Sequence, residues 1–144
     1  MRKIIFTNTD GGLSVVQPVC NTVGETLTTN AEIEQRAWDK LPVDAINPVF
    51  VDESSIPTDR TFRNAWEHGG NSVIQNITKA KIIAHDKRRQ ARSAEFAPLD
   101  IKATIPSEAV AAEAARAGIR AKYAIMQTAI DAATTVDQLK NLKA

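Results

Sequence analysis

Between Ser107 and Ala133 alanine outnumbers every other residue type, whereas five of the seven aromatic side chains, Phe6, Trp38, Phe50, Phe62 and Trp66, fall before residue 67. Large side chains can build a small globular core. Alanine is the best helix former and lets helices approach closely, but it fills little volume. One chain with both habits, segregated, reads as a small globular unit followed by a helical one. The 144 residues suit one compact domain with an appendage. The expected class is α+β: a small antiparallel β-sheet with one or two short helices over residues 1–76, then an extended C-terminal α-helical hairpin over 77–144.

In the first unit, Arg2 to Asn8 and Leu13 to Val19 are β-branched runs around Asp10-Gly11-Gly12, the chemistry of a hairpin turn. Ile4 and Phe6 share one face of the first strand. Leu13, Val15 and Val19 share one face of the second. Thr29-Asn30-Ala31-Glu32 is a capping box, opening a helix whose stripe is Ile33, Ala37, Trp38 and Leu41 and which Pro42 stops. Residues 48–52 form a third strand candidate and 72–75 a weaker fourth. Thr58 to His68, with a cap at Thr58 or Asp59, apolar residues at Phe62, Ala65 and Trp66, and Gly69-Gly70 beyond, predicts a two-turn helix. On this reading Phe6, Trp38, Phe50, Phe62 and Trp66 are core, while Arg60 and Arg63 point outward, to water or to a partner.

In the second unit, helices are expected at about 78–95 and 107–133, separated by a loop around Pro98 to Pro106. A short terminal helix follows at about 136–143, behind the capping box Thr135-Val136-Asp137-Gln138. Ile119, Tyr123, Met126, Ile130 and Ala133 step by four, three, four and three residues, the seam of a hairpin or coiled coil. Gly118 interrupts a run of strong helix formers at a cost of about 1 kcal/mol relative to alanine. It marks close approach by another helix, a bend, or simple tolerance.

Function classes narrow by exclusion. A net charge of +1 gives no global case for nucleic acid, an acidic substrate or a membrane surface. The single cysteine, Cys20, allows no intramolecular disulfide and no cysteine metal cluster. Met1 to Thr9 lacks the apolar stretch of a signal peptide, and no run approaches the roughly 20 residues of a membrane span. His68 and His85 fall on different elements without a second ligand at metal spacing. No nucleophile elbow, phosphate loop or dinucleotide fingerprint occurs. No catalytic residue, metal or cofactor is expected. Residues 79–92 hold six lysines and arginines against one acid, with Lys81, His85, Arg88 and Arg92 at helical spacing on one face. That face is either solvated, or set against an acidic neighbour, or able to track phosphates. Without interleaved aromatics nucleic acid is the weakest of the three.

The D-G-G hairpin, S-S-I-P-T-D-R-T-F-R-N-A-W-E, K-A-K-I-I-A-H-D-K-R-R-Q-A-R and A-I-D-A-A-T-T-V-D-Q-L-K-N-L, in that order, resemble a group of small proteins encoded among tail or other virion genes of tailed bacteriophages and prophages. The resemblance runs along nearly the whole chain, and Asp59 to Trp66 with the basic helix are its most specific parts. More loosely, the helical half is similar to phage tail assembly chaperones, with Phe96-Ala97-Pro98-Leu99-Asp100 standing where those carry a Thr-Asp-Trp type step. The first resemblance implies a non-enzymatic protein of the virion, tail or neck associated. It would contact other phage structural proteins as a homo- or hetero-oligomer, and pass through the host cytoplasm during assembly. The second implies a chaperone that leaves the particle. Arg60, Arg63, Lys81, His85, Arg88, Arg92, Gly118, Ile119, Tyr123, Met126 and Ile130 are the candidate contact residues.

Overall fold

The computed structural model describes residues 1–22, 25–26 and 29–142. The chain divides into two compact units, Met1–Asn76 and Ile77–Ala144.

The first unit is organised around β1 (Lys3–Thr7), which pairs antiparallel with β2 (Leu13–Val16) on one side and with β5 (Ile46–Val51) on the other. The β1–β2 turn forms as its residues dictate. Gly11 takes φ +81°, and Asp10 Oδ1 accepts the Gly12 N–H at 2.8 Å. Ile5 stands opposite Val15 and Val49, and this face packs with Val51, Ile56, Trp66 and Val73. Ile4 stands opposite Val16 and Phe50 on the other face. That face meets α1 (Asn30–Asp39), whose Trp38 ring stacks on Phe50 at 4.8 Å between centroids. Covered on both sides, β1 buries Ile4, Ile5 and Phe6 in succession instead of alternating. Trp38 and Phe50, expected in the core, are only half-buried at its margin. Helix α1 begins with the capping box read from its sequence. Thr29 Oγ1 accepts the Glu32 N–H at 3.2 Å, and Glu32 Oε2 accepts the Thr29 N–H at 2.9 Å.

Three smaller features of this unit depart from the sequence reading. Strand β2 stops at Val16, short of the expected Val19, and Pro18 just beyond is fully buried. A two-residue ladder, β3 (Asn21–Thr22) with β4 (Glu25–Thr26), appears where no strand was expected. The ladder of β1 with β5 shifts register between Ile5 and Thr7, with Asn47 at φ 51° in the extra position. The strand therefore bulges there.

The largest correction concerns residues 58–68, which are not a helix. Asp59 Oδ1 accepts the Thr61 N–H at 2.8 Å in a local turn, Arg63–Ala65 makes one 3-10 turn, and β6 (Trp66–His68) is a strand. β6 pairs antiparallel with β7 (Val73–Gln75), so Gly69-Gly70 closes a hairpin, with Gly70 at φ +82° and Gly69 N–H donating to Ser72 O at 2.9 Å. A helix of two turns is too short to hold by itself, whereas the ladder satisfies the same backbone groups against a neighbour. Phe62, Ala65 and Trp66 are nevertheless buried, because one turn followed by a strand start also brings positions i, i+3 and i+4 inward. The 72–75 strand thus belongs to its own two-stranded ladder.

The second unit is α2 (Ile77–Lys102), α3 (Ala109–Ala132) and α4 (Val136–Asn141). Helix α2 does not end near Glu95 but runs through Pro98 for another turn, correcting the expected loop. Pro98 lacks only one N–H and sits on the exposed side, where the freed carbonyl meets water. Helix α3 starts two residues later than expected, behind Glu108. Helix α4 carries the expected capping box, with Thr135 Oγ1 accepting the Gln138 N–H at 3.3 Å, while position 143 of the expected span lies outside the described residues.

A part-buried ion pair ties the N-terminus to α1. Glu34 accepts from the Arg2 backbone N–H at 2.5 Å, from Arg2 Nε at 3.0 Å and from Nη2 at 2.8 Å. These bonds hold its carboxyl below the usual carboxylate range, outweighing its burial. A depressed folded pKa contributes stability at neutral pH that is lost as pH falls through it. Glu34→Gln is therefore expected to cost about 1–2 kcal/mol at neutral pH, at the low end because Arg2 is half exposed. The gap to wild type should close well below pH 4.5. Urea unfolding of both proteins at the two pH values checks this.

Candidate functional site

Three of the four residues of the basic face of α2 turn toward α3. Lys81 Nζ donates to the Asp131 carbonyl at 2.7 Å, and His85 Nε2 lies 2.9 Å from Asp131 Oδ1. Arg88 is 8% exposed, its Nη1 donating to Gln127 Oε1 at 2.8 Å and to the Tyr123 carbonyl at 3.3 Å. Of the four, only Arg92 points outward, its guanidinium 5.3 Å from the Phe96 ring. The spacing, open to a solvated face, an acidic neighbour or a phosphate track, belongs at Lys81, His85 and Arg88 to a polar seam with α3. A seam rich in alanine leaves room for long side chains, which then need acceptors across the gap.

The α3 side of the seam follows its heptad. Ala112, Tyr123, Ile130 and Ala133 are buried, and Arg116, Ile119 and Met126 are half-buried between them. Tyr123 is the keystone: its hydroxyl donates to Glu95 Oε1 at 2.7 Å, and Lys122 Nζ reaches the same oxygen at 2.6 Å. Ile119, Tyr123, Met126 and Ile130 thus hold the chain's own hairpin together.

Every charged side chain of α3 is engaged within this unit. Glu113 pairs with Arg116 and Arg120, Arg116 reaches Asp100 at 3.1 Å, Lys122 reaches Glu95, and Asp131 holds His85. What remains is the side of α3 turned away from α2. Val110, Ala114, Gly118, Ala121, Ile125, Thr128 and Ala132 lie there, all exposed, and Val110 and Ile125 are 84% and 73% exposed. An exposed helix face ordinarily carries charges, so an uncharged face of about six turns, polar only at Thr128, asks for a partner. At its C-terminal end it runs into a groove of about 350 Å³ between α3 and α4, walled by Ala129, Ala132, Ala133 and Leu142. A Cβ built on Gly118 would meet nothing within 4 Å, so no part of the unit requires a glycine there. The sequence singles out Gly118, but the neutral face around it becomes visible only once the α2-facing side is known.

The first unit offers less. Arg60 is exposed, and Arg63 lays its guanidinium 4.8 Å above the Trp66 ring, an attraction of cation for π-face. A polar hollow near the β5 bulge is lined by Thr7, Asn47, Glu67 and His68. There Glu67 accepts from the Asn76 amide at 2.9 Å, and His68 Nδ1 accepts the Gly70 N–H at 3.1 Å. Among the described residues, no three histidine, cysteine, aspartate or glutamate side chains come together to hold a metal ion. No helix among them is long and apolar enough to cross a membrane.

Burial and the bond to Glu95 push the Tyr123 hydroxyl above its ordinary value of 10.0. A raised folded pKa contributes stability that is present below the unfolded pKa and lost as pH rises through the folded one. Because the chain has one tyrosine, absorbance of the tyrosinate is an unambiguous readout: it should develop above pH 10.0 in the folded protein and close to that value in the urea-unfolded chain. No protein-family profile, curated protein or solved structure matches this chain.

Proposed function

We propose that this is a non-enzymatic bacteriophage structural protein, associated with the tail or neck of the virion, that works by making protein contacts through its helical unit. The observation that carries the reading is the outer face of α3: neutral from Val110 to Ala132, exposed, and flanked by charges already paired within the unit. Interfaces are distinguished at their centre by depletion of charge, and this face is depleted before any partner arrives. The chain's resemblance to small proteins encoded among phage virion genes supports placing the partner among other structural proteins of the particle. The α2 basic face supports protein over nucleic acid, since Lys81 and Arg88 already donate to α3.

Mass spectrometry of purified particles, from a phage or prophage that encodes the chain, tests the reading. The protein should be present in mature virions at a stoichiometry constant between preparations, and Ile125→Glu should remove it without lowering its expression. Absence of the wild-type protein from virions would overturn the structural role and favour a chaperone that departs after assembly.

A further inference from the structure

We propose that the cleft between the end of β2 and the last turn of α1 binds a short apolar chain ending in a carboxylate, with the chain in the cleft and the carboxylate on Lys40. It lies in the first unit, so it adds a small-molecule ligand to a chain whose protein contacts are assigned to the second.

The cleft follows from the stripe that α1 turns to the sheet. Trp38 stacks on Phe50 of β5, at one edge of the sheet, so the opposite edge, β2, is left to the much smaller Ala37. The space that results is about 210 Å³, walled by Val16, Pro18, Val19, Ala37 and Leu41. Pro18 is fully buried and Val19 is 57% exposed, so the apolar wall runs from the interior to the surface. Water in an apolar cleft finds few hydrogen-bond partners, and its release favours an apolar occupant. At about 30 Å³ for each water-sized group the space takes about seven of them, which sets the chain at roughly six to eight carbons.

Charge selects the other end of the ligand. Arg36 and Lys40, one turn apart at the end of α1, also line the cleft. Arg36 Nη2 donates to the Val19 carbonyl at 2.9 Å, which fixes its guanidinium beside the apolar wall. Lys40 is exposed, and among the described residues its ammonium has no ion-pair partner. Residues 1–76 carry ten acidic side chains against six basic ones, so two bases beside one opening reverse the local sign. One of them offsets the negative end of the helix dipole, and the second leaves a surplus for an anion. A bare inorganic anion would leave the apolar wall wet, and a hydrocarbon would leave Lys40 unused. An apolar chain with a terminal carboxylate meets both.

Sodium hexanoate, sodium butanoate and hexan-1-ol, titrated into the full-length protein and followed by amide NMR shifts, test the site. Hexanoate should saturate with a dissociation constant on the order of 1 mM, moving the amides of Val16, Val19, Ala37 and Leu41. Butanoate should bind about tenfold more weakly, since each buried methylene is worth about fourfold in affinity. Lys40→Glu should weaken hexanoate about tenfold and leave hexan-1-ol unchanged, which separates loss of the charge from loss of the cleft. Ala37→Leu should abolish hexanoate binding by filling the space, and the exposed Lys40 keeps the test independent of how the chain repacks around Ala37. No saturable shift at tenfold above the expected constant, equal affinity for butanoate and hexanoate, unaltered hexanoate binding by Lys40→Glu, or shifts confined to the α3–α4 groove at Ala129 and Leu142 would overturn the assignment.

Discussion

The second unit depends on how few large apolar side chains its seam contains. Helices that meet largely through alanine approach closely but bury little area, and burial is the main favourable term in holding a fold together. The α2–α3 hairpin offsets this with long polar side chains that cross the seam to fixed acceptors: Arg88 to Gln127 and the Tyr123 carbonyl, Lys81 to the Asp131 carbonyl, Tyr123 to Glu95. Among these, the buried bond of Arg88 to the Tyr123 carbonyl contributes modestly when made and costs heavily when its partner is lost, so such bonds select a register more than they add stability. The basic residues of α2 and the acids of α3 are accordingly structural first. With the charges drawn to the seam and its flanks, the far side of α3 is left neutral, and its availability to a partner follows from how the hairpin is held.

The first unit solves the same problem with large side chains. β1 is covered on both faces, by α1 and by the hairpin that starts at Trp66, so its consecutive Ile4, Ile5 and Phe6 act as the common core. The rim is closed by Arg2, which bonds Glu34 and stacks over Phe50 at 4.4 Å. One side chain thus joins the N-terminus, the helix and the edge strand.

Local chemistry was legible in the sequence wherever a few neighbouring residues decide the outcome. Asp10-Gly11-Gly12 specified a turn, Thr29 with Glu32 and Thr135 with Gln138 specified helix starts, and the four-three spacing from Ile119 to Ile130 specified the buried side of α3. Where the outcome depends on a distant partner, the reading failed. Residues 58–68 have helical spacing, but β7 competes for the backbone of Trp66 to His68, and the spacing of Phe62, Ala65 and Trp66 fits both outcomes. Pro98 looked like a stop, yet a proline on the solvent side of a long packed helix removes one hydrogen bond and no packing. Arg88 looked solvated because its acceptors, Gln127 and the Tyr123 carbonyl, lie far along the chain on α3. The neutral face of α3 needed the seam to be located before its opposite could be recognised as unpartnered.

The bulge at Asn47 has a further consequence for how the first unit meets other proteins. β2 and β5 are the two edges of the three-stranded sheet, and an open edge is a template for adding foreign strands. β5 carries Pro48, which has no N–H to offer, beside a residue in left-handed conformation that breaks the ladder, and β2 ends two residues before the buried Pro18. Both edges of the folded sheet are therefore poor templates for a foreign strand, which leaves side chains rather than strand addition as the way this unit can meet another protein.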